Sequence, residues 1–406
     1  MVKKIASLFI VMLFISPYSF GQGFIISGKV TDKATGKAVP SASVFLSNTS
    51  IGTAANDKGG FILHNIPAGK FDLIVSSLGY ETYALSIDAG KTTDALQVQL
   101  TAKANELASV VVGNYEKDGW AKWGQTFLNE FIGTTYLANG CTIKNHDAIK
   151  FLHSTKRDLL EAFADEPLVI ENSGLGYVIH YKLEKFSIDF KNSSLYYAGY
   201  PLFEEMTGNA RKQKKWQERR QEAYYGSIMH FMRCVFTNSL AENGYEIRRL
   251  EKQVNAEKKR VQELYTYLAG ADNNMDFESH LPKDSLAYYS KILKQPSVID
   301  ILHSEILPAN TISFPNDSTS ATLFFNDYLY IIYKNKKEPT EYQQKVMNGT
   351  HSPGGYITSE AARITEKPVY VFYNGAFYEP QNFITLGYWA WSEKICQMLP
   401  FDYKPQ

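Results

Sequence analysis

The chain has no surplus of either charge: its 406 residues carry 42 basic and 42 acidic side chains. That balance excludes a whole-chain electrostatic grip on nucleic acid or on an anionic membrane. Cysteine is scarce, with only Cys141, Cys234 and Cys396. Three thiols close at most one bridge and leave one over, so a disulfide scaffold is excluded. None is in a C-x-x-C pair, and the expectation is three buried, small apolar side chains. Catalytic signatures are missing as well. The sequence has no H-E-x-x-H, no H-x-x-E, no G-x-S-x-G, no phosphate-binding G-x-x-x-x-G-K-[ST] and no G-x-G-x-x-G. Its eight histidines are scattered, with no ligand-like pair on one helix face. No catalytic, cofactor-binding or metal-ligating residue is nominated, and no cofactor is expected. Past the N-terminus no apolar run reaches the roughly 18 residues of a membrane-spanning helix. An integral membrane protein is not expected.

What is present begins with an address. Lys3 and Lys4 precede an apolar run over 5–15, and Ser19-Phe20-Gly21 places small residues at −3 and −1. The pattern predicts a signal peptide over 1–21, with Gln22 as the first mature residue. The run holds no cysteine, so it is not a lipoprotein signal. Hydrophobic residues at 44% and charged residues at 21% exclude a disordered chain. The 27 Tyr and 24 Phe lean the composition towards strands.

Residues 24–112 read as an all-β domain. Phe71, Leu73 and Val75 alternate with Asp72 and Ser76, the period of a half-buried strand. Asp57-Lys58-Gly59-Gly60 is a strong hairpin signal, and Ile66-Pro67-Ala68-Gly69 a further turn. About seven short strands at regular spacing indicate a sandwich. The motifs I-S-G-K-V-T-D from Ile26, V-P-S-A-S-V-F-L from Val39, N-D-K-G-G-F from Asn56, N-I-P-A-G-K-F from Asn65 and L-G-Y from Leu78 resemble the carboxypeptidase regulatory-like domain. The closing E-L-A-S-V-V-V from Glu106 is similar to the segment that often follows it in Bacteroidota outer-membrane receptors. The resemblance implies a prealbumin-like seven-stranded sandwich and an accessory module without catalytic residues; with the signal sequence, the expected location is the periplasm or the periplasmic face of the outer membrane.

The rest of the chain reads as a larger, β-rich α+β domain over 126–406, joined by a connector over 113–125. An amphipathic helix is predicted over 120–132 from Trp120, Trp123, Phe127, Leu128, Phe131 and Ile132. Strands are predicted over 168–172, 176–181 and 185–190. The longest helix is predicted over 212–240, and a second over 254–268. Asn374-Gly375 is the best hairpin dipeptide in the chain, and a short terminal helix is expected over 393–399. This region, with W-Q-E-R-R-Q-E-A-Y-Y-G-S-I-M-H-F from Trp216, resembles a domain that accompanies the regulatory-like module in Bacteroidota proteins and brings no known activity.

Four residues are weak binding candidates. Arg219 and Arg220 belong to a basic stretch with Arg211, Lys212, Lys214 and Lys215 that could meet lipid A or an acidic glycan, although Glu218 and Glu222 interrupt it. Trp389 and Trp391 could stack on sugar faces, although core packing suits them better. Ser227 and His230 lie one helical turn apart, a spacing that rarely gives a nucleophile and its base. Asp284-Ser285-Leu286 resembles the triplet that Bacteroidota O-glycosylate, or else begins a helix. The leading expectation is an exported, non-enzymatic envelope protein whose sandwich is a docking or spacer module for a protein partner. The alternatives are a glycan or cell-wall binding protein, and a hydrolase with an unrecognised site in the second domain.

Overall fold

The structure, a computed structural model, describes residues 23–91, 95–103, 115–271, 283–345, 355–378 and 380–405. The proposed signal peptide lies outside these residues. At 42% strand and 26% helix the protein is mainly β. It divides into two compact units, residues 1–113 with Tyr200–Phe203, and residues 114–199 with 204–406.

The first unit holds seven strands: β1 (Phe24–Asp32), β2 (Ser43–Leu46), β3 (Gly52–Ala54), β4 (Gly60–Ile66), β5 (Lys70–Ser76), β6 (Tyr83–Asp88) and β7 (Leu96–Leu100). They form two sheets, in the orders β4-β1-β7 and β3-β2-β5-β6. Phe71, Leu73 and Val75 point into the core as the alternation predicts, with Val30, Val44, Leu46, Phe61 and Leu63 around them. The Asp57–Gly60 turn is not a hairpin. β3 pairs with β2 and β4 with β1, so the turn carries the chain from one sheet to the other. Its geometry explains why glycine is needed: Gly59 has φ +78, and its carbonyl accepts from Val30 N–H at 2.8 Å. A Cβ there would lie 2.3 Å from the Val30 carbonyl oxygen.

The second unit opens with α1 (Gly119–Phe127), which runs on into a π-helical turn at Leu128–Ile132. Phe127 and Phe131 are fully buried, so the amphipathic reading of 120–132 holds. Next come β8 (Cys141–Ile143), β9 (Ile149–Ser154), β10 (Leu159–Ala164), β11 (Leu168–Asn172), β12 (Tyr177–Asp189) and β13 (Ser194–Glu205). Their sheet runs β8-β11-β12-β10-β9, with β13 on β12. The strands expected over 176–181 and 185–190 are one strand, β12, because its period-2 burial runs through residues 177–183 and resumes at Phe186.

The helix expected over 212–240 is two helices, α2 (Ala210–Tyr224) and α3 (Ile228–Phe236). Gly226 breaks it with φ +86, and the Ser227 hydroxyl caps α3 by accepting from His230 N–H at 3.1 Å. After α3 the chain forms β14 (Tyr245–Val254), α4 (Ala256–Ala271), α5 (Lys283–Leu293), β15 (Val298–Ile306), β16 (Ser313–Pro315), β17 (Ser320–Leu323), β18 (Tyr328–Lys337) and α6 (Thr340–Lys345). It continues with β19 (Tyr356–Arg363), β20 (Val369–Phe372), β21 (Phe377–Tyr378), β22 (Phe383–Gly387) and α7 (Tyr388–Ser392). Two sheets result, β15-β14-β18-β19-β22 and β16-β17-β20-β21. Asn374-Gly375 does join a hairpin, β20 with β21. The terminal helix lies earlier than expected: Tyr388–Ser392 is helical, and only a 3-10 turn at Ile395–Gln397 falls within 393–399.

Candidate functional site

The end of β18, the end of α2, α7 and the 3-10 turn Tyr136–Gly140 enclose a cleft of about 340 Å³ in the second unit. Polar groups on its walls include Tyr136, Glu222, Lys336 and Glu341, and Trp391 and Tyr388 add aromatic surface. Tyr136 donates its hydroxyl to Glu222 Oε2 at 2.7 Å. Lys336 donates to the Glu222 backbone oxygen at 3.0 Å, and its ammonium lies 5.9 Å from the Tyr388 ring centre. Burial holds the Lys336 ammonium below its usual range, against the pull of the Glu222 and Glu393 carboxylates. Glu393 follows α7 directly. Burial pushes its carboxyl up to about 7, opposed by the Ile228 N–H that donates to it at 3.1 Å and by Lys336. An acid and a base thus share one enclosed region with perturbed protonation, a pattern common at functional sites but also in structural networks. Sequence reading missed this group because its members lie on four separate segments.

The tryptophans nominated as sugar platforms are not surface groups. Trp389 is 2% and Trp391 6% exposed. Trp389 Nε1 donates to the Gly226 carbonyl at 2.8 Å, and Trp391 Nε1 to Thr134 Oγ1 at 3.0 Å. They tie α7 into the core, and only Trp391 reaches the cleft wall. Arg220 is also taken up inside. Its guanidinium lies 3.9 Å from the Tyr177 ring centre, donates to the Leu175 and Gly176 carbonyls, and pairs with Glu205 at 2.8 Å. Arg219 reaches the Gly174 carbonyl at 3.4 Å. The basic stretch is therefore divided: Arg211, Lys212, Lys214 and Lys215 remain exposed, while the two arginines anchor α2.

Ser227 and His230 do not form a nucleophile and base, because the serine oxygen meets the His230 backbone N–H and not its ring. The ring accepts at Nδ1 from Tyr245 OH at 3.0 Å and from Gly226 N–H at 3.3 Å. Burial pushes His230 down to about 4. Among the described residues no three His, Cys, Asp or Glu side chains gather as metal ligands. His146 stacks on Trp120, His153 packs on Trp123, and His180 pairs with Glu204. All three thiols are free. Burial pushes Cys234 up to about 12 and Cys396 up to about 11, so both are held as thiols. Ser285 lies in the first turn of α5 and is partly buried.

In the first unit, the residues of the recognition motifs build turns and core. Asp32 accepts from the N–H groups of Ala34 and Thr35 and from the Thr35 hydroxyl, which holds its carboxyl below the usual range. The surface of this unit still carries large apolar groups: Ile25 and Ile62 are exposed, and Leu78 is 92% exposed at a loop tip.

Residues 26–112 match the family model of the CarboxypepD_reg-like domain. The N-terminal sandwich is a carboxypeptidase regulatory-like domain. The regulatory-like domain is a non-catalytic fold. No curated protein matches the sequence. Among solved structures, one similar chain is a Bacteroides fragilis protein described as membrane-associated and of unknown function. It is 10% identical, with 89% of this chain and 96% of that one covered and a TM-score of 0.16, a likeness too slight to carry an argument. Among the described residues no helix is long and apolar enough to cross a membrane.

Proposed function

We propose that this is an exported, non-enzymatic protein of the cell envelope, in the periplasm or on the periplasmic face of the outer membrane, whose regulatory-like domain docks a protein partner. The proposal includes the division into a signal peptide over 1–21, a sandwich over 22–112, a connector over 113–125 and a β-rich α+β domain over 126–406. One observation carries it. Most motif residues of the regulatory-like domain are spent on turns and core, while Ile25, Ile62 and Leu78, the last in the L-G-Y turn, stand exposed on its surface. Large apolar groups on an accessory module favour protein contact over chemistry. The experiment is a pull-down from envelope fractions in mild detergent with the mature protein and its Leu78→Glu and Ile62→Glu variants. A specific partner recovered by the wild type and lost with either variant, at unchanged melting temperature, supports docking. Recovery indifferent to both variants counts against it.

A second reading rests on the cleft. Glu222, Glu341 and Lys336 converge there, which favours a hydrolase or a binder of small polar ligands over the glycan reading, whose aromatic platform is buried. A screen of ester, amide and glycoside substrates with wild type and Glu222→Gln tests it. Turnover abolished in the variant would place this reading first.

A further inference from the structure

The cleft of the second unit holds a buried polar group without a partner. Tyr388, on α7, is 4% exposed and lines the cleft. Its hydroxyl has no hydrogen-bond partner among the described residues. Burial holds this phenol above its usual range, and Glu393, Glu222 and Tyr136 add to the effect. The hydroxyl end of the ring therefore lies on the side of the cleft's polar groups. Buried hydroxyls are ordinarily paired, so this one marks a place for a ligand atom.

The charges on the same wall are of both signs and do not balance. Glu341, on α6, has no partner among the described residues. Glu222 accepts from Tyr136 at Oε2, at 2.7 Å, which leaves Oε1 open. Lys336 uses one ammonium hydrogen on the Glu222 carbonyl, at 3.0 Å, and keeps its others. Two carboxylates and one ammonium give the wall a formal charge of −1. Arg219 does not alter that sum, because it stands outside the cleft lining and reaches the Gly174 carbonyl at 3.4 Å. The two carboxylates repel a phosphate or another dianion. A neutral sugar would bury them without a counter-charge, and a simple amine would meet the Lys336 ammonium. The class that remains carries both signs, with one cation in excess. At about 340 Å³ the cleft is at the small end of ligand sites.

We propose that the cleft binds a free basic amino acid. The ligand's carboxylate takes Lys336 and the Tyr388 hydroxyl, and its two ammonium groups take Glu222 and Glu341. Each charge of the wall then meets one opposite charge of the ligand, and the Tyr136 and Trp391 rings flank its aliphatic chain. The proposal rests on the reading of the cleft as a site for small polar ligands and adds the class of ligand. Glu222 and Glu341 are exposed, so water screens their ion pairs and the binding is weak. The dissociation constant should be on the order of 100 µM.

The test is titration calorimetry of the mature full chain with three probes. They are L-lysine, cadaverine, which lacks the carboxylate, and hexanoate, which lacks both ammonium groups. Lysine is expected to bind, and each of the other two about tenfold or more weakly. Glu341→Gln, at an exposed position, should weaken lysine and cadaverine alike by about tenfold. Lys336→Met should weaken lysine and strengthen cadaverine, because it removes a like charge. Opposite responses of two probes to one variant are not produced by structural damage. Tyr388→Phe keeps the ring and should weaken lysine about threefold to tenfold. Circular dichroism melts confirm that each variant is folded. Lysine binding that is absent, or indifferent to both Glu341→Gln and Lys336→Met, would overturn the proposal. If an ester, amide or glycoside is bound or turned over with dependence on Glu222 while lysine is not bound, the cleft reading stands and the basic amino acid falls. If nothing binds, both fall.

Discussion

The two units stabilise their interiors by different chemistry. The core cluster of the regulatory-like domain is aliphatic: of its 17 buried residues only Phe61 and Phe71 are aromatic. The cluster of the second unit has 22 buried residues, and nine of them are aromatic, among them Tyr245, Tyr333, Tyr388, Trp389 and Trp391. Those rings bring polar tips indoors, and each tip needs a partner. The second unit supplies Tyr245, Trp389 and Trp391 with backbone carbonyls, the Thr134 hydroxyl and the buried His230 ring. The apolar cluster of the sandwich is closed mainly by area, with polar contacts such as Thr49 to the Leu46 carbonyl at its margin, whereas that of the second unit is closed by area together with specific hydrogen bonds of its rings. Losing a group in the second unit should therefore cost more than its buried surface accounts for.

The largest expected effect tests that claim. Trp389→Ala removes a fully buried ring and leaves the Gly226 carbonyl without its indole donor. The cost should be about 4–5 kcal/mol, at the upper end for an aromatic-to-alanine change. Trp389→Phe keeps most of the volume and should isolate the hydrogen bond, at about 1–3 kcal/mol. Chemical denaturation of both variants gives the two values. If Trp389→Phe costs nothing, the contrast between the units is one of ring size only.

Leu73→Ala is the matching probe of the aliphatic core. Leu73 is fully buried on β5, and the change should cost about 2–5 kcal/mol from lost transfer and the cavity left behind. Chemical denaturation of the full chain with and without the change gives the value. A loss below about 0.5 kcal/mol would mean that the buried face of β5 is wrong. A smaller effect is expected at the helix break. Ser227→Ala removes the cap of α3 and should cost about 1 kcal/mol by thermal melting.

The same contrast explains how much was legible in the sequence. In the sandwich, period-2 alternation and glycine turns are local signals, so Phe71, Leu73 and Val75 could be assigned inward from β5 alone. The Asp57–Gly60 turn was misread because a glycine turn reports a reversal of the chain, while which strands pair is set by contacts far apart in sequence. In the second unit the local signal for one helix over 212–240 is sound apart from Gly226, whose conformation is fixed by neighbours: a Cβ there would press on Ile357 and Tyr333. Trp389 and Trp391 look the same in sequence whether they face a sugar or the Gly226 carbonyl. The cleft could not be read at all, since Tyr136, Glu222, Lys336 and Trp391 meet only through the tertiary fold. β15 was missed because an edge strand exposed on both faces lacks the alternation by which strands are recognised.

The smallest expected effect is a near-cancellation inside the second unit. Glu393 has its folded pKa raised to about 7 from 4.5. Its contribution to stability is present below the unfolded value and is lost as pH rises towards 7. His230 is lowered to about 4 from 6.5, so its contribution is present above the unfolded value and is lost as pH falls towards 4. Between about pH 4.5 and 6.5 the folded protein holds one proton more than the unfolded chain at Glu393 and one fewer at His230. The two slopes, each about 1.4 kcal/mol per pH unit, oppose one another. The wild-type melting temperature should therefore stay nearly level across this window. Glu393→Gln removes one slope and should lose stability on acidification, as His230 alone resists protonation. His230→Gln should do the reverse and lose stability as pH rises from 4.5 to 6.5. Melting curves of the three proteins at half-unit pH steps decide the matter. Parallel profiles for all three would show that these buried groups do not titrate in this window, and that the hydrogen bonds of the second unit act without any coupling to protonation.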